Sequence, residues 1–86
     1  AYEPRWFMQA QHVNPAEAVR ALADVGARQG VGIHWGTFHG LTDEPLDQPV
    51  RDLAAALAAA GEPHERLLLL RHGETRRWDG RALVAP

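Results

Sequence analysis

Four consecutive leucines, Leu67 to Leu70, stand between Arg66 and Arg71, and this run constrains the fold more than any other feature. It is long enough for a strand and too short for an independent helix. An unbroken apolar strand needs cover on both faces, as in the interior of a parallel sheet. A second piece, Val31-Gly32-Ile33-His34-Trp35, is also short and apolar, and glycines at 30 and 32 permit close approach of a neighbouring backbone. We read both as buried strands.

A helix precedes each of them. Asn14-Pro15-Ala16-Glu17 is a helix start: Asn14 can cap, Pro15 suits the first position, and Glu17 can reach back to complete a capping box. Ala18, Val19, Leu22 and Val25 then recur at helical spacing, opposite Glu17, Arg20, Asp24 and Arg28. This pattern predicts a helix ending near Gln29, with Gly30 just beyond. A second helix is predicted from about Pro49 to Ala60, with Val50, Leu53, Ala54 and Leu57 as its apolar stripe and Gly61 closing it.

Gly36 to Gln48, rich in Gly, Thr, Asp and Pro, reads as a long loop. From Thr75 onward the chain is charged and ends in proline, which predicts a loosely held extension over residues 76–86. The order loop, helix, strand, long loop, helix, strand, tail argues for an α/β layer architecture with a parallel pairing reached by a right-handed crossover. Two buried strands do not make a covered sheet. The start at Ala1-Tyr2-Glu3, with no initiator Met or signal-like segment, points the same way, and we read residues 1–86 as part of one larger domain.

Composition closes off several function classes. There is no cysteine, hence no disulfide framework, thiolate metal site or cysteine nucleophile, and any metal must sit on His, Asp or Glu. A net charge of -2 offers no electrostatic footprint for nucleic acid. The apolar runs are far shorter than the roughly 18–20 residues of a membrane span. A cytoplasmic location is favoured and membrane association stays open; an open sheet edge invites self-association.

Five histidines remain as carriers of chemistry: His12, His34, His39, His64 and His72. None lies in a local metal motif. His34, at the end of a strand and just before Gly36, is placed to project into a cleft, although a lone His there is more often an interior residue bonded to backbone. His12 precedes a helix cap and is either a cleft residue or a surface one. His39 lies in the long loop and reads either way, and His64 is a solvated turn residue. Trp35 and Phe38 read as packing residues. Arg71-His72-Gly73-Glu74-Thr75 matches the signature of the histidine phosphatases, in which His72 would be phosphorylated and Arg71 would hold phosphate. That family carries the motif on its first strand and needs a long following chain, so the alternative is a strand terminus whose His72 and Glu74 are structural.

Four segments taken together carry a resemblance. They are Ala1-Tyr2-Glu3-Pro4-Arg5-Trp6-Phe7-Met8, Gln11-His12-Val13-Asn14-Pro15-Ala16-Glu17-Ala18-Val19, Ile33-His34-Trp35-Gly36-Thr37-Phe38, and Leu70-Arg71-His72-Gly73-Glu74-Thr75-Arg76. In order and spacing they resemble the C-terminal part of the metallo-β-lactamase superfamily, in the branch of N-acylphosphatidylethanolamine-hydrolysing phospholipases D and bacterial zinc-dependent hydrolases. That family has an Arg-His-Gly-Glu-like segment of its own.

The resemblance implies an αββα sandwich with two zinc ions at one sheet edge. His34 would be a metal ligand, His12 a catalytic neighbour of the metal centre, and Gln11 a substrate contact. The activity implied is hydrolysis of a phosphodiester, ester or lactone by a metal-activated water, on a small-molecule or lipid-like substrate. The family's H-x-H-x-D-H motif and bridging Asp are absent from this sequence. The rest of the domain would therefore be the main partner, and the isolated chain is expected to be inactive. The remaining alternative is a non-catalytic scaffold or oligomerisation segment.

Overall fold

The computed structural model describes residues 1–38 and 40–86. Its elements in chain order are helix α1 (Arg5–Met8), helix α2 (Pro15–Asp24), strand β1 (Gly30–Val31), helix α3 (Gln48–Ala59), a 3-10 turn (His64–Arg66), and strands β2 (Leu67–Leu68), β3 (Arg77–Trp78) and β4 (Leu83–Val84). β1 and β2 pair in parallel, with Gly30 opposite Leu67 and Val31 opposite Leu68. Gly32 N–H extends the ladder by donating to Leu68 O at 2.8 Å. The chain is thus a small mixed α/β unit in which the long loop and α3 connect two parallel strands.

α2 begins as its sequence requires. Asn14 Oδ1 accepts from Glu17 N–H at 2.8 Å, and Glu17 Oε1 accepts from Asn14 N–H at 3.0 Å, a complete capping box. The same Glu17 oxygen accepts from Arg5 Nη2 at 2.5 Å, which fastens α1 to the start of α2. The helix ends earlier than its periodicity suggests. Gly26 takes a positive φ of 69°, and Ala27 N–H turns back to Leu22 O at 3.2 Å, the left-handed glycine closure of a helix. Val25 therefore falls past the apolar stripe and is 78% exposed.

The core is small. Val19 and Leu22 from α2, Leu53 and Leu57 from α3, and Leu67 from β2 are buried together, with Ala18, Ala27, Ala56 and Leu69 packed around them. Side chains alternate along a strand, so Leu67 and Leu69 face the helices, as do the positions of Gly30 and Gly32 on the neighbouring strand. A Cβ on Gly30 would lie 2.9 Å from Leu67 Cδ1, and one on Gly32 would overlap Leu69 Cδ2. Both glycines are there because a leucine occupies the space a side chain would need.

The strands differ from the sequence reading in length and cover. Each is two residues long, and the face turned away from α2 and α3 is only partly covered, with Leu68 and Leu70 half-buried. Val31 and Ile33, at alternate positions, are 42% and 73% exposed. The run of leucines demands a second layer, and the described residues do not contain one. Val50 is also exposed, whereas Pro49 beside it is buried.

The segment read as a loose extension carries a hairpin. β3 and β4 pair antiparallel, Arg77 with Val84 and Trp78 with Leu83. Asp79 Oδ1 accepts from the N–H groups of Arg81 and Ala82, each at 2.8 Å, an Asx-type closure at an Asp-Gly pair. Gln29 ties the hairpin to the sheet. Its side-chain oxygen accepts from Leu83 N–H at 2.8 Å, and its amide donates to Glu65 O at 2.7 Å.

Candidate functional site

A cleft of about 690 Å³ opens between the segment before α2 and the segment after β1. Gln11, His12 and Val13 line one side, Ile33 to Trp35 with Thr37, Phe38 and Leu41 line the other, and Ala18, Leu53, Leu67 and Leu69 floor it. That volume suits a small organic ligand, and a mostly apolar wall with a few polar groups is the usual make-up of such sites. The three residues singled out from the sequence, Gln11, His12 and His34, all border this one cleft. The exposed Phe38 lines it too, and so is not a core packing residue.

Each histidine is presented by a defined piece of backbone. His12 follows the last turn of α1, where its N–H donates to Met8 O at 2.9 Å, and its carbonyl accepts from Arg5 Nη1 at 3.0 Å. Its imidazole side stays exposed to solvent. His34 follows the end of the parallel ladder and has a φ of 66°. Among the described non-glycine residues it alone takes the left-handed conformation, at a cost of roughly 1–2 kcal/mol. A rim histidine held in a costly conformation belongs to the class of residues that cluster at functional sites.

His72 sits away from the cleft wall. Its ring stacks on Trp35 with centroids 4.9 Å apart at 17°. Glu74 organises the turn around it: Arg71 N–H donates to Glu74 Oε1 at 2.8 Å, Glu74 N–H to Arg71 O at 2.9 Å, and Arg76 Nε to Glu74 Oε2 at 2.7 Å. The backbone N–H of Arg71 and the Arg76 side chain hold the Glu74 carboxyl below the usual carboxylate range. The Arg-His-Gly-Glu segment is thus accounted for as a self-closed turn. His64 is exposed on the 3-10 turn. His39 lies outside the described residues.

A second polar centre has no counterpart in the sequence reading. Tyr2 is 5% exposed, and its hydroxyl donates to Asp52 Oδ2 at 2.6 Å, while Gln48 Nε2 donates to Asp52 Oδ1 at 2.6 Å. Burial, then the bond to Asp52 and the nearby carboxylates, push the phenol well above its ordinary value. Glu44 accepts from Glu3 N–H at 2.9 Å, Tyr2 N–H at 3.1 Å and the Thr42 hydroxyl at 2.6 Å. Burial alone would raise the Glu44 carboxyl, but these donors outweigh it and hold the pKa at about 2. The one available signal was Thr42-x-Glu44, a short polar pair within the loop. The effect is to dock the N-terminal segment, and with it the His12 side of the cleft, onto α3.

Among the described residues no three His, Asp or Glu side chains come close enough together to hold a metal ion. Nor, among the described residues, is any helix long and apolar enough to cross a membrane.

No family model matches the chain. Over 62 residues it is 50% identical to N-acyl-phosphatidylethanolamine-hydrolyzing phospholipase D 1 of Caenorhabditis elegans, a match covering 72% of this chain and 17% of that protein. Over 37 residues it is 43% identical to the mitochondrial N-acyl-phosphatidylethanolamine-hydrolyzing phospholipase D of Saccharomyces cerevisiae, covering 43% of this chain and 8% of the relative. An uncharacterized protein of Mycobacterium tuberculosis is 46% identical over 59 residues, 65% of this chain and 15% of its own length. The chain therefore spans less than a fifth of the length of the curated relatives it matches. Over these short stretches it is homologous to phospholipase D hydrolases.

Proposed function

We propose that this chain is the C-terminal part of a zinc-dependent hydrolase with the αββα sandwich of the metallo-β-lactamases, supplying one wall of its active site. The observation that carries this reading is the cleft shared by Gln11, His12 and His34. These residues come from two separate segments, each of which carries part of the resemblance. The incompletely covered face of the β1–β2 sheet, with Val31 on it and Ile33 just beyond exposed, supports the same reading, since a further layer would cover it.

The donor set fits a metal in part. The His34 imidazole is a suitable ligand, but a zinc site takes three or four donors, and the described residues do not assemble them. The remaining donors would come from the rest of the polypeptide. Bound zinc would supply Lewis-acid activation of water for attack on a phosphodiester, ester or lactone. On this chain, His34 would offer its imidazole to the metal from a backbone fixed at the rim. His12 would carry a proton or hydrogen bond at the reacting group, and the Gln11 amide would orient an oxygen of the substrate. Val13, Phe38 and Leu41 give the cleft an apolar wall, which suits a lipid-like substrate.

The non-catalytic alternative applies to the isolated chain, whose described residues do not assemble a ligand set. No observation favours the phosphatase alternative, because His72 is engaged with Trp35 and the Arg71 side chain is 89% exposed. The test is hydrolysis of phosphodiester, ester and lactone probes by the complete polypeptide. His12→Ala should lower kcat by about 10²-fold or more, and His72→Ala should weaken hydrolysis without abolishing it, whereas loss of a phosphorylated nucleophile would abolish it. Activity that survives His12→Ala and chelation would remove the proposal.

A further inference from the structure

His34 lies between two anchors. On one side Gly32 N–H is bound to Leu68 O. On the other, Trp35 is held at three points by a single stretch of chain: its indole N–H donates to Leu70 O at 3.2 Å, its ring stacks on His72 at 4.9 Å, and its carbonyl lies 3.3 Å from His72 Nε2. Gly36 completes the fit, since a Cβ there would lie 3.2 Å from His72 Cε1. The Thr37 hydroxyl also reaches Trp35 O, at 3.3 Å, from within the same loop.

We infer that His72 is a positioning residue for His34, acting through Trp35. A left-handed φ at a non-glycine residue persists only where its surroundings over-determine it. Ile33 and His34 are the two residues between the bonded Gly32 and the held Trp35, and His34 takes the left-handed φ just before the turn at Trp35 and Gly36. His72 supplies two of the three ties on Trp35 by stacking and, with its proton on Nε2, by donating to the Trp35 carbonyl. Leu70 supplies the third from its backbone, which no side-chain change removes. The turn closed by Glu74 presents the His72 ring, which gives the Arg-His-Gly-Glu segment a role other than phosphoryl transfer. The consequence for metal binding rests on the function proposed above, whereas the conformational claim does not.

The experiment is NMR of the full 86-residue chain and its His72→Ala and His72→Phe variants. The readouts are the intraresidue HN–Hα NOE of His34, which is strong at positive φ, hydrogen exchange at the Trp35 indole, and NOEs between Val31 and Leu68 that report the sheet. In His72→Ala the His34 NOE should weaken and indole exchange should accelerate about tenfold, with the Val31–Leu68 contacts unchanged. His72→Phe keeps a ring and removes the donor. An intact His34 NOE in that variant assigns the support to stacking, and a weakened one assigns it to the bond on Trp35 O; both support the inference. An unaltered His34 NOE in His72→Ala overturns it. So does loss of the Val31–Leu68 contacts, which would make His72 a folding residue instead. A complete polypeptide that binds no zinc would remove the hydrolase proposal while leaving this result standing.

Discussion

The Tyr2 hydroxyl donates to Asp52 Oδ2 across 2.6 Å, joining the first residues of the chain to the middle of α3. Tyr2→Phe removes the donor and leaves Asp52 with Gln48 alone. A hydrogen bond to a charged acceptor contributes about 1.5–3 kcal/mol, and Asp52 is only half-buried, so the expected loss is about 1–2 kcal/mol in urea unfolding. Tyr2 is the single tyrosine, so absorbance at alkaline pH reads its phenol alone. Titration should begin above the ordinary tyrosine range, because burial and Asp52 favour the neutral form. This raised pKa adds stability that is present below the unfolded value and lost at higher pH.

Glu44 governs the acid limb. Its carboxyl sits at about 2 in the folded chain against an ordinary 4.5, so the folded state holds the charged form more tightly than the unfolded chain does. The stabilisation is complete above pH 4.5 and disappears as pH falls towards 2. After allowance for solvent screening it amounts to on the order of 1 kcal/mol. Glu44→Gln should unfold at lower urea concentration than the parent at pH 7, with the gap closing on acidification through that window. A gap that persists unchanged at pH 2 would contradict this.

Gly32→Ala should be among the most damaging small substitutions. The new methyl would overlap Leu69 Cδ2, so the β1–β2 pairing has to open or Leu69 has to leave its place. Overpacking of this kind costs about 1–3 kcal/mol. The double variant Gly32→Ala, Leu69→Ala should recover part of that loss, and non-additivity in urea unfolding is the measurement that reads it.

Leu57 is the most buried residue of the core, at 2% exposure. Leu57→Ala should cost about 2–5 kcal/mol, a large fraction of the stability a core of this size can provide. Loss of cooperative thermal unfolding by circular dichroism is the expected outcome.

Much of this was legible, for reasons that belong to particular residues. Asn14 and Glu17 form the cap their spacing describes, and Gly61 closes α3. Periodicity placed the end of α2 near Gln29, with Gly30 beyond, but Ala27 N–H reaches Leu22 O across Gly26 at positive φ, so the helix ends earlier. The strands were read as longer and fully covered because an apolar run reports what a segment needs, not what these 86 residues supply. The hairpin was missed although Asp79-Gly80 is a turn signal, since the flanking residues are too polar to alternate clearly. Position suggested a cleft for His34 and a loop facing it for His12, but loops assemble that cleft, and the roles of Gln11 and His12 came only from the resemblance.

The most direct measurement is zinc content by elemental analysis of the complete polypeptide, with and without His34→Ala. Zinc is expected in the parent protein and at least one equivalent fewer in the variant, with the fold retained by circular dichroism. Zinc absent from the parent, or held undiminished by His34→Ala, would contradict it.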